Sequence, residues 1–392
     1  MRIDRRTALG LLAATPLIPG AARAGTTAPG SRTAIVIGAG IVGAAIAYEL
    51  AKRGVAVTIL ERFKPAAGAT GDSFAYLNAS TKTGSRPYFQ LNWLGMAGWR
   101  IWQQEPGPAL PLQWGGATYW RDAEAEAVKL GESLRIAQQW GYAGQHVDAA
   151  ALGTLLPGLA IGPVSAGAFF PEEGAVDPAG AVATLLARAA KLGARLRAPV
   201  EVRSLIVRDG KIAGVQTADG AIEADTVVLA AGLGSEVLAG QAGVRLPLTA
   251  SPGVLLHTAP QKPVLDRVVF GPRSTFKQMP DGRIVASISG HEGGAPAGAD
   301  AAAFGKAIQT AAASYLPLVG KAGIERVSVG QRVVPQDSFP VVGFAPGLDG
   351  LYVAVTHSGV TLAPALGRFA ALEIVDGERA DPLATFRPDR FA

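Results

Sequence analysis

The sequence predicts a mixed α/β chain, a two-domain α+β arrangement in which a parallel β-α-β half is interleaved with an antiparallel-sheet half. Three observations carry this. Residues 34–61 run strand, glycine turn, helix, strand and end in an acid; residues 200–289 break into short alternating strands with turns at Asp209-Gly210 and Asp219-Gly220; and 392 residues, 49% of them hydrophobic, can bury one large or two interleaved cores.

The opening unit is the most specific. The apolar strand Ala34-Ile35-Val36-Ile37 enters Gly38-Ala39-Gly40-Ile41-Val42-Gly43, and a helix then leads to a second strand ending at Glu61. Gly38 permits the tight turn, Gly40 lets backbone N–H groups approach a pyrophosphate, and Gly43 lets the helix pack closely on the strand. The N–H groups of Ile41 and Val42, at the positive end of the helix, suit a diphosphate. Glu61, 18 residues after Gly43, is placed to accept hydrogen bonds from a ribose 2′-hydroxyl and would repel a 2′-phosphate, which favours FAD or NAD over NADP.

Further along, 68–78 is small and polar, and a helix follows with Tyr88, Phe89, Trp93, Trp99 and Trp102 as core aromatics. A strand is expected over 113–121, helices over 123–140, 148–155 and 179–192, and strands over 200–207, 212–217 and 221–230. Residues 253–257, 268–271, 275–278 and 283–289 alternate like a mostly antiparallel sheet, and 301–315 is helical.

Formal charge is +5, but Arg2, Arg5, Arg6 and Arg23 against Asp4 account for +3 of it, so the basic balance is no nucleic-acid signature. Zero cysteines excludes disulfides, thiolate metal sites and a flavin tethered through sulfur. No metal site is expected. The chain opens Met1-Arg2-Ile3-Asp4-Arg5-Arg6, continues through an apolar run at 8–18 and reaches Ala22-Arg23-Ala24. That pattern resembles a twin-arginine export signal over 1–24, the alternative being a basic tail. It implies a periplasmic protein, soluble or membrane-peripheral, with no transmembrane segment, because the apolar run is short and broken by Pro16 and Pro19.

Four further segments resemble the D-amino acid oxidase family of FAD-dependent oxidoreductases, which includes glycine oxidase, sarcosine oxidase and D-amino acid dehydrogenase. Gly68 to Asn78, with Thr70 and Ser73, is similar to the family's second glycine-rich segment. Glu173-Gly174-Ala175-Val176-Asp177-Pro178 and Ala198-Pro199-Val200 resemble the lead-in to the strand that contacts adenine through Val200. Asp225 to Gly232 resembles the strand ending in a small turn beside the diphosphate. Gly330-Gln331-Arg332-Val333-Val334-Pro335-Gln336-Asp337 is similar to the segment whose arginine clamps the substrate carboxylate, with Val333 in place of the usual proline. His357-Ser358-Gly359-Val360-Thr361 resembles the closing flavin loop and helix.

The resemblance implies a Rossmann-like FAD-binding domain over 25–105, 160–245 and 325–392, interleaved with an antiparallel-sheet substrate domain over 106–159 and 246–324. Non-covalent FAD would be held by Gly38, Gly40, Ile41, Val42, Gly43, Glu61, Arg62, Thr70, Ser73, Val200, Gly232, Gly359, Val360 and Thr361. Arg332, His357 and Lys277 are the expected catalytic residues, with His291 and Phe276 as further candidates on the substrate side. A planar guanidinium suits a carboxylate through two parallel hydrogen bonds; the alternative pairs Arg332 with Asp337. The implied reaction oxidises the C–N bond of a D-amino acid or N-alkyl glycine by hydride transfer to flavin N5. The resulting imine hydrolyses to a 2-oxo acid, and oxygen or a respiratory quinone takes the electrons. An aromatic monooxygenase and a non-catalytic FAD-binding protein are the alternatives, although the monooxygenases' late Gly-Asp-Ala-x-His-like segment does not occur here.

Overall fold

The computed structural model describes residues 32–289 and 300–392; residues 1–24, expected to form an export signal, and His291 lie outside the described residues. Among the described residues the strands form four sheets. The first, a six-stranded sheet, runs Val341–Phe344, Leu351–Val355, Thr226–Leu229, Thr33–Ile37, Ala56–Leu60, Arg195–Arg197. Its strands are parallel except Val341–Phe344, which pairs antiparallel with Leu351–Val355. Continuous apolar runs such as Ala34 to Ile37 and Val227 to Leu229 fit because both faces are covered. On one face lie the helices Ile41–Lys52, Arg86–Gln104, Pro178–Lys191 and Gly359–Ala371; on the other, the three-stranded sheet Val202–Arg208, Lys211–Thr217, Gly220–Glu223 and the short helix Gly234–Gln241.

The second large sheet has eight strands, in the order Ile324–Pro335, Leu248–Thr258, Ile284–Ile288, Ser274–Gln278, Val268–Phe270, Ala117–Arg121, Ala166–Phe170, Gln145–His146. It is antiparallel except where Val268–Phe270 lies parallel to Ala117–Arg121. Alternation divides its faces. Val254, Leu256, Val269, Phe276 and Trp120 are buried against the helices Ala301–Ala313 and Pro317–Lys321, while Leu255, Phe270, Thr275 and Ser287 face the other way. Phe276, expected as a wall of the substrate site, is therefore on the wrong face, stacked on Tyr315 with centroids 6.3 Å apart.

Two expected strands are each broken in two. Residues 221–230 divide because Asp225 turns back to accept from the Thr33 N–H and hydroxyl, each at 2.8 Å, which sends Thr226–Leu229 into the parallel sheet. Residues 113–121 divide at Gly115-Gly116, where Gly116 has φ +82° and a Cβ on Gly115 would lie 1.7 Å from the Asp266 carbonyl oxygen. Among the described residues no helix is long and apolar enough to cross a membrane.

Candidate functional site

The parallel strands all end at one place, and the chain emerging from four of them, at Gly38, Glu61, Ala230 and Thr356, lines a cavity of about 960 Å³. Ligands in open α/β sheets bind outside the carboxyl ends of the strands. The first turn is built for close approach. Gly38 has φ +100°, and a Cβ there would sit 2.5 Å from the Ala230 carbonyl oxygen; a Cβ on Gly43 would sit 2.0 Å from the Gly38 carbonyl oxygen. Gly43 thus packs helix on strand, and it is the one predicted cofactor residue that does not line the cavity. Gly38, Gly40, Ile41, Val42, Glu61, Arg62, Thr70, Ser73, Val200, Gly232, Gly359, Val360 and Thr361 all do.

Hydrogen bonds tie this cradle together. Glu61 accepts from the Ala39 N–H at 2.9 Å through one carboxylate oxygen and from the Phe63 N–H at 2.9 Å through the other. Each oxygen keeps a second acceptor direction. Thr70 accepts from the Ile41 N–H at 3.1 Å, which fastens the 68–78 segment to the helix start, and Ser73 accepts from the Ala75 N–H at 3.0 Å. Val200 spends its N–H on the Glu61 carbonyl at 2.7 Å. Arg62 lies over the Phe63 ring, 4.8 Å from its centroid.

A second helix start faces the same cavity. Ser358, which precedes Gly359–Ala371, makes no side-chain cap; its hydroxyl accepts instead from Tyr88 Oη at 2.7 Å. Gly95 brings the aromatic helix against this turn, since a Cβ there would lie 2.2 Å from the Thr361 carbonyl oxygen, and Trp99 donates to the Val360 carbonyl at 2.9 Å. Two helices of 12 and 13 residues thus open into one cavity with no cap from their own N-cap residues, Gly40 and Ser358. The donor set fits FAD: a glycine turn and helix start for the diphosphate, a carboxylate for the ribose, and a second helix start where an electron-accepting ring gains negative charge.

The other end of the cavity is cationic. Arg332, Lys82 and His357 line it. Burial first, then Lys82 and Arg332, lower the His357 pKa to about 4, so the ring is neutral at pH 7. Arg332 donates through Nε to the Ser251 carbonyl at 3.3 Å, and through Nη2 to the Ser251 hydroxyl at 2.9 Å and the Pro252 carbonyl at 3.1 Å. Asp337, the acid considered as its partner, is held by Arg390 Nε at 2.7 Å.

Lys277 does not line the cavity. It is 1% exposed and donates to the Val176 carbonyl at 3.2 Å and the Ala75 carbonyl at 3.4 Å, with its nitrogen 5.3 Å from the Phe74 centroid. Burial lowers its pKa to about 7. It stands one layer behind the wall formed by Phe74, Ala75 and Tyr76.

That wall includes groups the sequence did not mark. Tyr76 and Phe270 line the cavity with ring centroids 4.8 Å apart, and Tyr119 stacks behind Phe270 at 4.3 Å. Tyr119 Oη donates to Tyr76 Oη at 2.9 Å, and Tyr76 Oη donates to Glu173. Glu173 is fully buried, with its pKa pushed up to about 8 by burial, and it also accepts from the Ala79 and Ser80 N–H groups at 3.0 and 2.9 Å and from Tyr142 at 3.0 Å. Its place in the Glu173-Gly174 segment was the available signal. For Lys82 there was none, because its reach depends on how Ser80–Lys82 turns.

The profile of the family described as DAO, FAD dependent oxidoreductase, matches residues 33–372. The chain is 28% identical to the bifunctional protein ThiO/ThiG of Trichormus variabilis, over 92% of this chain and 55% of that protein. It is 26% identical to 4-methylaminobutanoate oxidase (formaldehyde-forming) of Paenarthrobacter nicotinovorans, over 88% and 43%. The chain thus spans about half the length of these curated relatives. In fold it is similar to glycine oxidase from Geobacillus kaustophilus, with a TM-score of 0.83 at 24% identity, covering 92% of this chain and 100% of that one. L-proline dehydrogenase from P. horikoshii gives a TM-score of 0.82 at 24% identity, covering 92% and 98%.

Proposed function

The chain belongs to the DAO family of FAD dependent oxidoreductases, and from that membership we propose that it oxidises the C–N bond of a small amino acid, a D-amino acid or an N-alkyl glycine. The observation that carries this reading is the cationic end of the cavity, where Arg332 and Lys82 flank a neutral His357 beside the start of Gly359–Ala371. An anionic substrate is what such an end attracts. Bound FAD supplies the two-electron acceptor for the hydrogen on the carbon next to nitrogen.

The chain's own residues position the reactants. Arg332 attracts the carboxylate, and the Tyr76 and Phe270 rings limit the side chain. His357, whose conjugate acid is too strong to stay protonated at pH 7, serves as an uncharged hydrogen-bonding partner. Lys277 acts indirectly, by tying the Ala75 and Val176 carbonyls that carry the wall. Loss of hydride from carbon and a proton from nitrogen leaves an imine. Water then releases a 2-oxo acid and ammonia, or glyoxylate and an amine from an N-alkyl glycine.

The same reading assigns Gly38, Gly40 to Gly43, Glu61, Arg62, Thr70, Ser73, Val200, Gly232 and Gly359 to Thr361 to FAD. It divides the chain into a FAD-binding part over 25–105, 160–245 and 325–392 and a substrate part over 106–159 and 246–324, with Ala166–Phe170 and Ile324–Pro335 reaching into the substrate-side sheet. Twin-arginine export through Arg5-Arg6 to the periplasm, and oxygen or a quinone as final acceptor, complete it. Anaerobic titration of the holoprotein with D-amino acids, glycine, sarcosine and proline-like amines tests the reading. At least one should bleach the flavin absorbance; if none does, the activity is wrong.

A further inference from the structure

We propose that Thr275 and Ser287, paired across two strands of the eight-stranded sheet where it lines the cavity, accept hydrogen bonds from the substrate's amine N–H. The proposal rests on the amino-acid reading above and adds to it a means of recognising the nitrogen.

The hydroxyl hydrogens on this part of the sheet are already committed. Ser287 Oγ donates to the Val254 carbonyl at 3.1 Å, and Ser289 Oγ donates to the Gly271 carbonyl at 2.7 Å. Ser289 has no second hydrogen to give, so in its 3.3 Å contact with Thr275 the threonine Oγ1 is the donor. A hydroxyl has one hydrogen and two lone pairs. Toward the cavity Thr275 and Ser287 therefore act as acceptors, and among the described residues nothing donates to either oxygen.

Strand pairing sets the two oxygens side by side. Thr275 and Ser287 are register partners in the antiparallel pair Ser274–Gln278 and Ile284–Ile288. Directly opposite side chains leave the backbone with Cβ atoms about 4.5 to 5.5 Å apart, so one nitrogen lying over the pair can reach both oxygens at about 2.9 Å. The alternation that hides Phe276 against Tyr315 turns Thr275 to the cavity side. Both residues are half-buried there, flanked by Phe270 on one neighbouring strand and Leu255 on the other, which also line the cavity. The hydroxyl pair is thus a polar spot between apolar neighbours, next to the wall that Tyr76 and Phe270 form. The acids that line the cavity among the described residues are otherwise engaged or placed: Glu61 in the glycine turn, Glu201 after Val200, and Asp72 with Arg326 Nη1 at 3.2 Å. Neutral acceptors hold an N–H without demanding a positive charge on it, which suits the neutral amine whose carbon gives up hydride.

Two ligand pairs are the probes, titrated anaerobically into the purified holoprotein while the flavin absorbance is followed. Sarcosine is paired with methoxyacetate, in which an ether oxygen replaces the N–H, and D-alanine is paired with propionate, which lacks the amine. The wild type should bind the amine of at least one pair about tenfold more tightly than its counterpart. Thr275→Val and Ser287→Ala should each weaken that amine about three- to tenfold, as expected for one hydrogen bond, and leave the counterpart unchanged or tighter. Thr275→Ser, which keeps the oxygen, should bind the amine as the wild type does. A merely structural role would move both members of a pair alike, and FAD occupancy checks folding.

Wild-type amine affinity in either Thr275→Val or Ser287→Ala, equal losses for amine and counterpart, or a wild type that responds to neither pair overturns the proposal. The two readings fail separately. Bleaching by an amino acid with amine binding unchanged in the variants leaves the activity standing without this site. Selective loss of amine binding with no bleaching by any amino acid leaves the N–H site standing without the activity.

Discussion

Gly43→Ala tests the link between packing and cofactor binding most directly. The added Cβ would lie 2.0 Å from the Gly38 carbonyl oxygen, and reaching even 3.0 Å requires the helix or the turn to move by about 1 Å. Neither has slack. Ile41–Lys52 is buried along most of its length, and on its other side a Cβ on Gly367 would already be 2.8 Å from the Ala45 carbonyl oxygen. Gly38 is held from the sheet side by Ala230 and by its own N–H to the Leu60 carbonyl at 2.8 Å. Overpacking without room to relax costs roughly 1 to 3 kcal/mol, and the upper end is expected when backbone is the obstacle. The same shift moves the helix start that would face the diphosphate of the proposed FAD site, so FAD loading should fall at least about tenfold. Flavin-to-protein absorbance ratio and urea midpoints measure both effects. Gly131→Ala is the control: it lies exposed inside the helix Glu124–Gln139 with nothing within 4 Å of the new Cβ, and it should gain roughly 0.5 to 1 kcal/mol. A Gly43→Ala protein with wild-type flavin content and stability would refute the reasoning.

Arg332→Ala should keep FAD bound while losing about 2 kcal/mol or more of recognition for an amino acid but not for its decarboxylated amine, as steady-state kinetics would show. Lys277 is a base whose folded pKa, about 7, lies below its unfolded value of 10.5, so the unfolded chain binds more protons between those values and stability rises with pH across that window. The penalty is fully present below about pH 7 and amounts to roughly 5 kcal/mol at most. Lys277→Met should flatten this rise, with urea midpoints at pH 7 and 9 moving less than in the wild type; equal slopes would show that the buried amine does not titrate. Acid or heat should release intact FAD, because the chain has no cysteine and Gly68 to Asn78 has no histidine; flavin retained on the denatured chain contradicts this. Changing Arg5 and Arg6 to lysine should leave the protein in the cytoplasm, and normal periplasmic recovery of the double variant counts against the export route.

The sequence by itself determined the strand-turn-helix-strand unit over 34–61, because every requirement there is local. A strand, a turn that only glycine can make at Gly38, a helix start and an acid at Glu61 follow one another within 28 residues, 34–61, and the structure assembles them as their order implies. The aromatic helix and the alternating strands were legible for similar reasons, from periodicity, whereas the pairing of Arg332 and His357 came from the resemblance to the D-amino acid oxidase family, and both line the one cavity. What tertiary structure alone decided concerns which face a residue shows and what it meets there. Phe276 and Lys277 are sequence neighbours in one strand, so alternation sends them to opposite faces, but only the packing of Tyr315 against one and of residues 74–76 over the other shows which is core and which lies behind the site. Asp225 broke the strand expected over 221–230 by bonding Thr33, 192 residues away. Tyr76 and Glu173 are joined by a hydrogen bond between segments about 90 residues apart in the chain, and Arg332 donates to Ser251 and Pro252 on a strand about 80 residues distant. Such contacts form because non-local burial leaves polar groups that must find partners wherever the fold brings them, and no local pattern encodes which partner that is.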